Sequence, residues 1–128
     1  MRVAVATDEA TPTVDAVRSW LRDAGHEVVD VVPDGTDWRD VGRAVGEAVA
    51  GGEADAGVVC CWTGTGVSIV ANKVEGVRAA LCVDAETARG ARRWNDANVL
   101  AVSLRLTTPA VAEELLDAFT TTGADESV

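Results

Sequence analysis

The chain has 128 residues, a formal net charge of −10 and a 48% share of hydrophobic residues. That fits one globular domain with a real core. No apolar run approaches the roughly 20 residues of a membrane-spanning helix, and no basic face offers a nucleic-acid surface, so neither a membrane nor a nucleic acid is expected as a partner. The acidity reads as solvated surface, and an anionic ligand would need local help from arginines or backbone N–H groups. The N-terminus MRVAVATDEA lacks a long apolar segment and does not read as a signal peptide; the expected location is the cytoplasm.

Taken in chain order, strand and helix signals alternate. Arg2–Ala6 is a short β-branched apolar run. Thr11 and Pro12 then open a helix with Val14, Val17, Trp20, Leu21 and Ala24 at helical spacing, stopped by Gly25. Trp20 reads as ordinary core. Glu27–Val32 is a second strand, and Thr36 or Asp37 caps a helix with Val41, Ala44, Val45, Ala48 and Val49 on one face. Ala56–Cys61 is the third strand, followed by a short helix over Val67–Val74. Val77–Val83 is the fourth strand, and Asp84 caps a helix through about Arg93. Asn98–Ser103 is the fifth strand, and Thr108-Pro109 opens a last helix carrying Val111, Leu115, Leu116 and Phe119. One domain over residues 1–122 is expected, with a polar, frayed tail at 123–128.

Five strands alternating with helices imply a five-stranded parallel sheet covered on both faces, an α/β fold. In such sheets ligands bind beyond the carboxyl ends of the strands, near the switch point. The segments selected are Thr7–Glu9, Pro33–Trp38, Cys61–Gly66, Asp84–Glu86 and Ser103–Arg105.

The stretch WTGTGVS follows the third strand and opens a helix, so its successive N–H groups can form an anion-binding nest. It is neither a Walker loop nor the dinucleotide fingerprint, whose third glycine would fall at Ile69. Taken alone it is equally a structural turn. Cys61 ends the strand facing it, either as a base or nucleophile with its pKa lowered by N–H dipoles or as a small buried hydrophobe. Cys60 and Cys82 read as packing. Two adjacent cysteines in an odd total of three do not suggest a disulfide framework, and with no CxxC and a single histidine, His26, no zinc site is expected. Asp8 and Glu9 could bind sugar hydroxyls or shift a proton, although solvated loop carboxylates are the plainer reading. Arg89, Arg92 and Arg93 read as a solvated cluster complementing a helix dipole.

CWTGTGVSIVANKVEGVRAALC followed by ARRWNDANVLAVSLRL resembles the ribose-5-phosphate isomerase B and galactose-6-phosphate isomerase family, and the resemblance runs from RVAVATD to the last helix. It implies a Rossmann-like three-layer α/β/α domain, a homodimer with its sites at the interface, and aldose–ketose isomerisation through an enediolate without metal or other cofactor. It also implies that Cys61 is the base, assisted by Thr63, while the glycine loop (Gly64, Thr65, Gly66) stabilises the oxyanion through its N–H groups. A second branch of the family uses a glutamate where Val67 stands. Asp8, Ser68, Asn72, Lys73, Asn95 and Arg105 also match family positions.

The departures concern substrate. Glu9 stands where the family has a phosphate-associated histidine, Trp94 where it has the ring-opening histidine, and Trp62 where it has glycine. The family's basic C-terminal segment is replaced by GADESV. An indole cannot open a sugar ring by acid–base catalysis. Trp38, Trp62 and Trp94 are expected at loops near the pocket, either lining it or packing the dimer interface. The expectation is a divergent isomerase acting on a hydroxy-carbonyl compound other than ribose 5-phosphate, with Asp8, Glu9, Trp38, Trp62, Trp94, Asn95 and Arg105 around the substrate. The alternative is a non-catalytic dimeric protein that binds a small molecule on the same scaffold.

Overall fold

The structure, a computed structural model, describes residues 1–128. Its elements are β1 (Arg2–Thr7), α1 (Pro12–Asp23), β2 (Glu27–Asp30), α2 (Trp38–Ala50), β3 (Ala56–Cys61), α3 (Thr65–Ala71), β4 (Ala79–Leu81), α4 (Ala85–Asn95), β5 (Val99–Ser103) and α5 (Pro109–Thr121). Side-chain oxygens fix four helix starts: Thr11, Asp37, Asp84 and Thr108 accept from the N–H of Val14, Arg39, Thr87 and Val111. No helix is long and apolar enough to cross a membrane.

All strand pairs are parallel, in the order β2-β1-β3-β5-β4. The order departs in opposite directions from the β1/β3 pair, which places the switch point beyond Thr7 and Cys61. Successive residues of a strand face opposite ways. Val3, Val5, Val58, Cys60, Leu100 and Val102 therefore join a core with residues of α1, α4 and α5, while Ala4, Ala6, Val59, Cys61, Val99 and Ala101 join a second one with α2 and α3. The α/β/α sandwich and its five parallel strands are as expected.

Several boundaries differ. β2 stops at Asp30 rather than Val32, because its register against β1 ends at Val5↔Asp30 and the chain then turns through Pro33–Gly35 into α2. β4 keeps only Ala79–Leu81 of the expected Val77–Val83, since it is an edge strand paired with β5 alone. α3 begins at Thr65, two residues early, and ends at Ala71 instead of Val74. Asn72 explains the ending: its side-chain amide donates to the Ala79 carbonyl at 2.9 Å and its oxygen accepts from the Ala79 N–H at 2.7 Å. α3 is thereby tied to the outer edge of β4.

Three further expectations are corrected. Trp20 is only half-buried at the core margin, where it stacks on His26 with ring centroids 6.4 Å apart. Arg92 is no solvated helix-end charge; it donates to the carbonyls of Ala97 and Thr122 and lies 5.6 Å from the centre of the Phe119 ring. The tail is not wholly free, because the Asp125 N–H donates to the Arg93 carbonyl at 2.9 Å.

Candidate active site

Beyond β1 the chain makes a tight turn. The Thr7 hydroxyl donates to the Glu9 carbonyl at 2.7 Å and accepts from the Glu9 N–H at 3.2 Å, and the Asp8 N–H donates to the Cys60 carbonyl at 3.2 Å. The turn holds Asp8 half-buried over the switch point and sends Glu9 to the surface. One carboxylate oxygen of Asp8 is buried without a hydrogen-bond partner. Burial first, then the neighbouring Glu9 charge and more weakly Asp37, raise the Asp8 pKa above the usual carboxylate value.

Beyond β3, Cys61 is 5% exposed and belongs to the core on the α2/α3 side. The loop after β5 fixes the backbone here. Leu104 N–H donates to the Cys61 carbonyl at 3.0 Å; Arg105 N–H (2.8 Å) and the Ser103 hydroxyl (3.3 Å) both donate to the Trp62 carbonyl. Gly64 then turns the chain with φ +77°, where a Cβ would stand 2.6 Å from Leu81 Cδ1 and 3.0 Å from the Ser103 nitrogen. Only glycine satisfies both the conformation and the space. The backbone N–H groups of Gly66 and Val67, in the first turn of α3, have no protein acceptor. Thr63 Oγ1 lies 3.5 Å from the Thr65 nitrogen, a weak turn contact.

Trp38 completes the site. It is the first residue of α2, not a loop residue, and its indole lies against Gly66, where an added Cβ would be 2.7 Å from a ring carbon. The Arg39 guanidinium sits 4.4 Å from the indole centroid, a cation–π arrangement. Asp8, Trp38, Cys61, Trp62, Thr63 and Gly66 line a hollow of about 310 Å³. Trp62 stands at its rim, 56% exposed.

The remaining expected residues are not gathered there by one chain. Trp94 and Asn95 lie in the last turn of α4, so Trp94 is also not in a loop; its indole, 62% exposed, folds against Gly90 beside a separate hollow. Arg105 anchors the Trp62 carbonyl through its backbone, while its exposed side chain forms no ion pair. Arg39, placed against the pocket wall, is a residue sequence reasoning missed, although its place next to Trp38 at a helix start facing the switch point was a usable signal. The other two thiols stay protonated, since burial pushes Cys60 up to about 12 and Cys82 up to about 11.

The family described as "Ribose/Galactose Isomerase" matches residues 3–127. Galactose-6-phosphate isomerase subunit LacB of Clostridium acetobutylicum is 40% identical over 126 residues, covering 93% of this chain and 71% of the relative. Ribose-5-phosphate isomerase B of Escherichia coli is 40% identical over 102 residues, 77% of this chain and 68% of the relative. D-erythrulose-4-phosphate isomerase of Pectobacterium atrosepticum is 34% identical, covering 93% and 82%. Among solved structures, Trypanosoma brucei type B ribose 5-phosphate isomerase superposes with a TM-score of 0.91 at 40% identity, covering 98% of this chain and 88% of that one. With the sheet, the glycine turn and the strand-end cysteine in place, and with relatives this similar in both sequence and structure, the chain belongs to the ribose/galactose isomerase family, a family of sugar-phosphate isomerases.

Proposed function

We propose that the protein is an aldose–ketose isomerase acting through an enediolate on a substrate other than ribose 5-phosphate. The observation that carries this reading is the convergence of the Cys61 strand end, the Asp8 carboxyl and the Gly66 N–H, which has no protein acceptor, around one hollow at the switch point. Cys61, as its thiolate, takes the proton from the carbon beside the carbonyl. That electron pair forms the new C=C bond while the carbonyl pair moves onto oxygen, and the Gly66 and Val67 N–H groups stabilise the charge there. Asp8 passes the proton from one enediolate oxygen to the other, a task suited to a carboxyl whose burial favours its protonated form. The thiol then returns its proton to the former carbonyl carbon. Thr63 orients the substrate beside Cys61.

Trp94 in place of the family's ring-opening histidine supports an open-chain or otherwise acyclic hydroxy-carbonyl substrate. Homodimerisation, carried over from the family resemblance, would let the partner's α4 end close the hollow that one chain leaves open. The test is deuterium uptake from solvent into candidate substrates. The wild-type chain is expected to exchange the carbon-bound hydrogen of an open-chain ketose phosphate, and Cys61→Ala to lose about a hundredfold or more of that rate. Exchange that persists in Cys61→Ala removes Cys61 as the base. No exchange into any hydroxy-carbonyl compound favours a binding protein on this scaffold.

A further inference from the structure

The largest hollow of the molecule, about 560 Å³, is not the one beside Cys61 but a groove between α2 and α3. The two share Trp38 and Gly66, so they meet at the Trp38 indole. Along the groove the α3 side is apolar: Val70 and Val74 form its wall, and Ile69 stands 55% exposed. Three cations also line it, Arg39 and Arg43 from α2 and Lys73 from the turn after α3, with one carboxylate, Glu47. Arg39 pairs with Asp37 and Arg43 with Asp40, both pairs at the start of α2 and all four side chains more than half exposed, whereas Lys73 forms no ion pair. One unpaired ammonium and two guanidinium groups held only by exposed, exchangeable pairs, beside exposed apolar surface, suit an amphipathic anion.

We propose that this groove is the second half of the substrate site, holding a partly apolar substituent that crosses Trp38 and ends in a phosphate or carboxylate between Arg43 and Lys73. The inference rests on the isomerase reading for the reacting end alone. Lys73 lies two residues past the end of α3, whose rise from Gly66 to Ala71 is already about 7.5 Å, so the anion sits on the far side of the Trp38 indole from the reacting carbon. The substrate class is therefore a hydroxy-carbonyl compound carrying an aryl or alkyl extension with a terminal anion. The flat face of the Trp38 indole and the exposed aliphatic side chain of Ile69 select the apolar section.

The experiment is a titration of the full ¹⁵N-labelled chain with 1-naphthyl phosphate, inorganic phosphate and 1-naphthyl methanol, followed by amide and indole N–H shifts. Naphthyl phosphate is expected to move the Trp38 indole and the Gly66–Val74 amides, and to bind more tightly than either fragment. Arg43→Gln/Lys73→Gln, which alters two exposed side chains, is expected to weaken naphthyl phosphate about tenfold and to leave naphthyl methanol unchanged. The same titration with 1-naphthoate in place of 1-naphthyl phosphate separates the two anion types. Shifts centred on the Trp94 hollow, absence of binding at millimolar ligand, or equal affinity in the double variant each overturn the proposal. Cys61→Ala separates it from the isomerase reading: naphthyl phosphate binding retained while deuterium exchange is lost upholds both. Exchange that survives Cys61→Ala, with the double variant still weakened, upholds the groove and overturns only the assignment of the base.

Discussion

Cys60 and Cys61 are neighbours in sequence, yet they open onto layers built on different plans. The Cys60 layer holds Leu21, Leu100, Leu115, Leu116 and Phe119. The Cys61 layer holds no leucine and no phenylalanine; it is built from alanines and valines, with Gly42 and Gly46 letting α2 approach α3. A Cβ on Gly42 would stand 2.9 Å from the Val67 carbonyl oxygen. Large side chains fill the first layer to the sheet, whereas small ones in the second leave room for hollows around Trp38. One face of the sheet supplies stability and the other supplies space, and the two-residue period of β3 decides which cysteine faces which.

The sharpest way to break that comparison is to empty the packed layer. Leu116→Ala is expected to cost about 3 kcal/mol of unfolding free energy by urea denaturation, with catalysis unchanged under conditions where the chain stays folded. A small cost would mean that this layer is not the stabilising one. The second test contrasts the thiols. Cys61→Ala should lower the exchange rate about a hundredfold, equivalent to ~2.7 kcal/mol, whereas Cys60→Ala should lose about 1 kcal/mol of stability and keep its rate. A rate loss in Cys60→Ala would merge the roles that the sheet separates.

Gly64→Ala probes the seam between the layers. The left-handed backbone and the close approach of Leu81 and Ser103 predict a loss of about 2 kcal/mol, read by thermal unfolding. The smallest effect is expected at Asp8, and its sign is unusual. A carboxyl whose folded pKa lies above its ordinary 3.8 favours folding at low pH, and that contribution is lost as pH rises through the raised value. Asp8→Asn should therefore raise Tm slightly at neutral pH, with the gain disappearing as pH falls below 3.8, and should slow exchange. A lower Tm for Asp8→Asn at neutral pH would show that the unpartnered oxygen is not a destabilising feature.

The alternation of strands and helices, the glycine turn and the place of Cys61 at the strand end before it were legible in the sequence because each follows from local period and punctuation. Element ends were less so, because pairing and not propensity decides them: Val31 and Val32 are good strand residues left without a partner in register. The tryptophans were legible as unusual but not in position. Trp38 and Trp94 both lie against a glycine, Gly66 across the site and Gly90 one turn back on α4. Only the first of these pairings builds a wall of the Cys61 hollow, and nothing local distinguishes them. The cationic groove was hidden because Arg43 and Lys73 are separated by 29 intervening residues and meet only through the packing of α2 on α3.

The Asn72 amide has a consequence beyond ending α3. β4 has three residues, and the Ala79 N–H and C=O that face away from β5 are both occupied by Asn72. By the alternation of the ladder, Leu81 is the one residue of the strand whose outward pair remains open. A side chain here imitates the strand that the sheet lacks on this side, so an incoming extended segment meets a capped border too short to template pairing. On this edge of the sheet a single asparagine thus occupies backbone groups that edge-to-edge pairing would use.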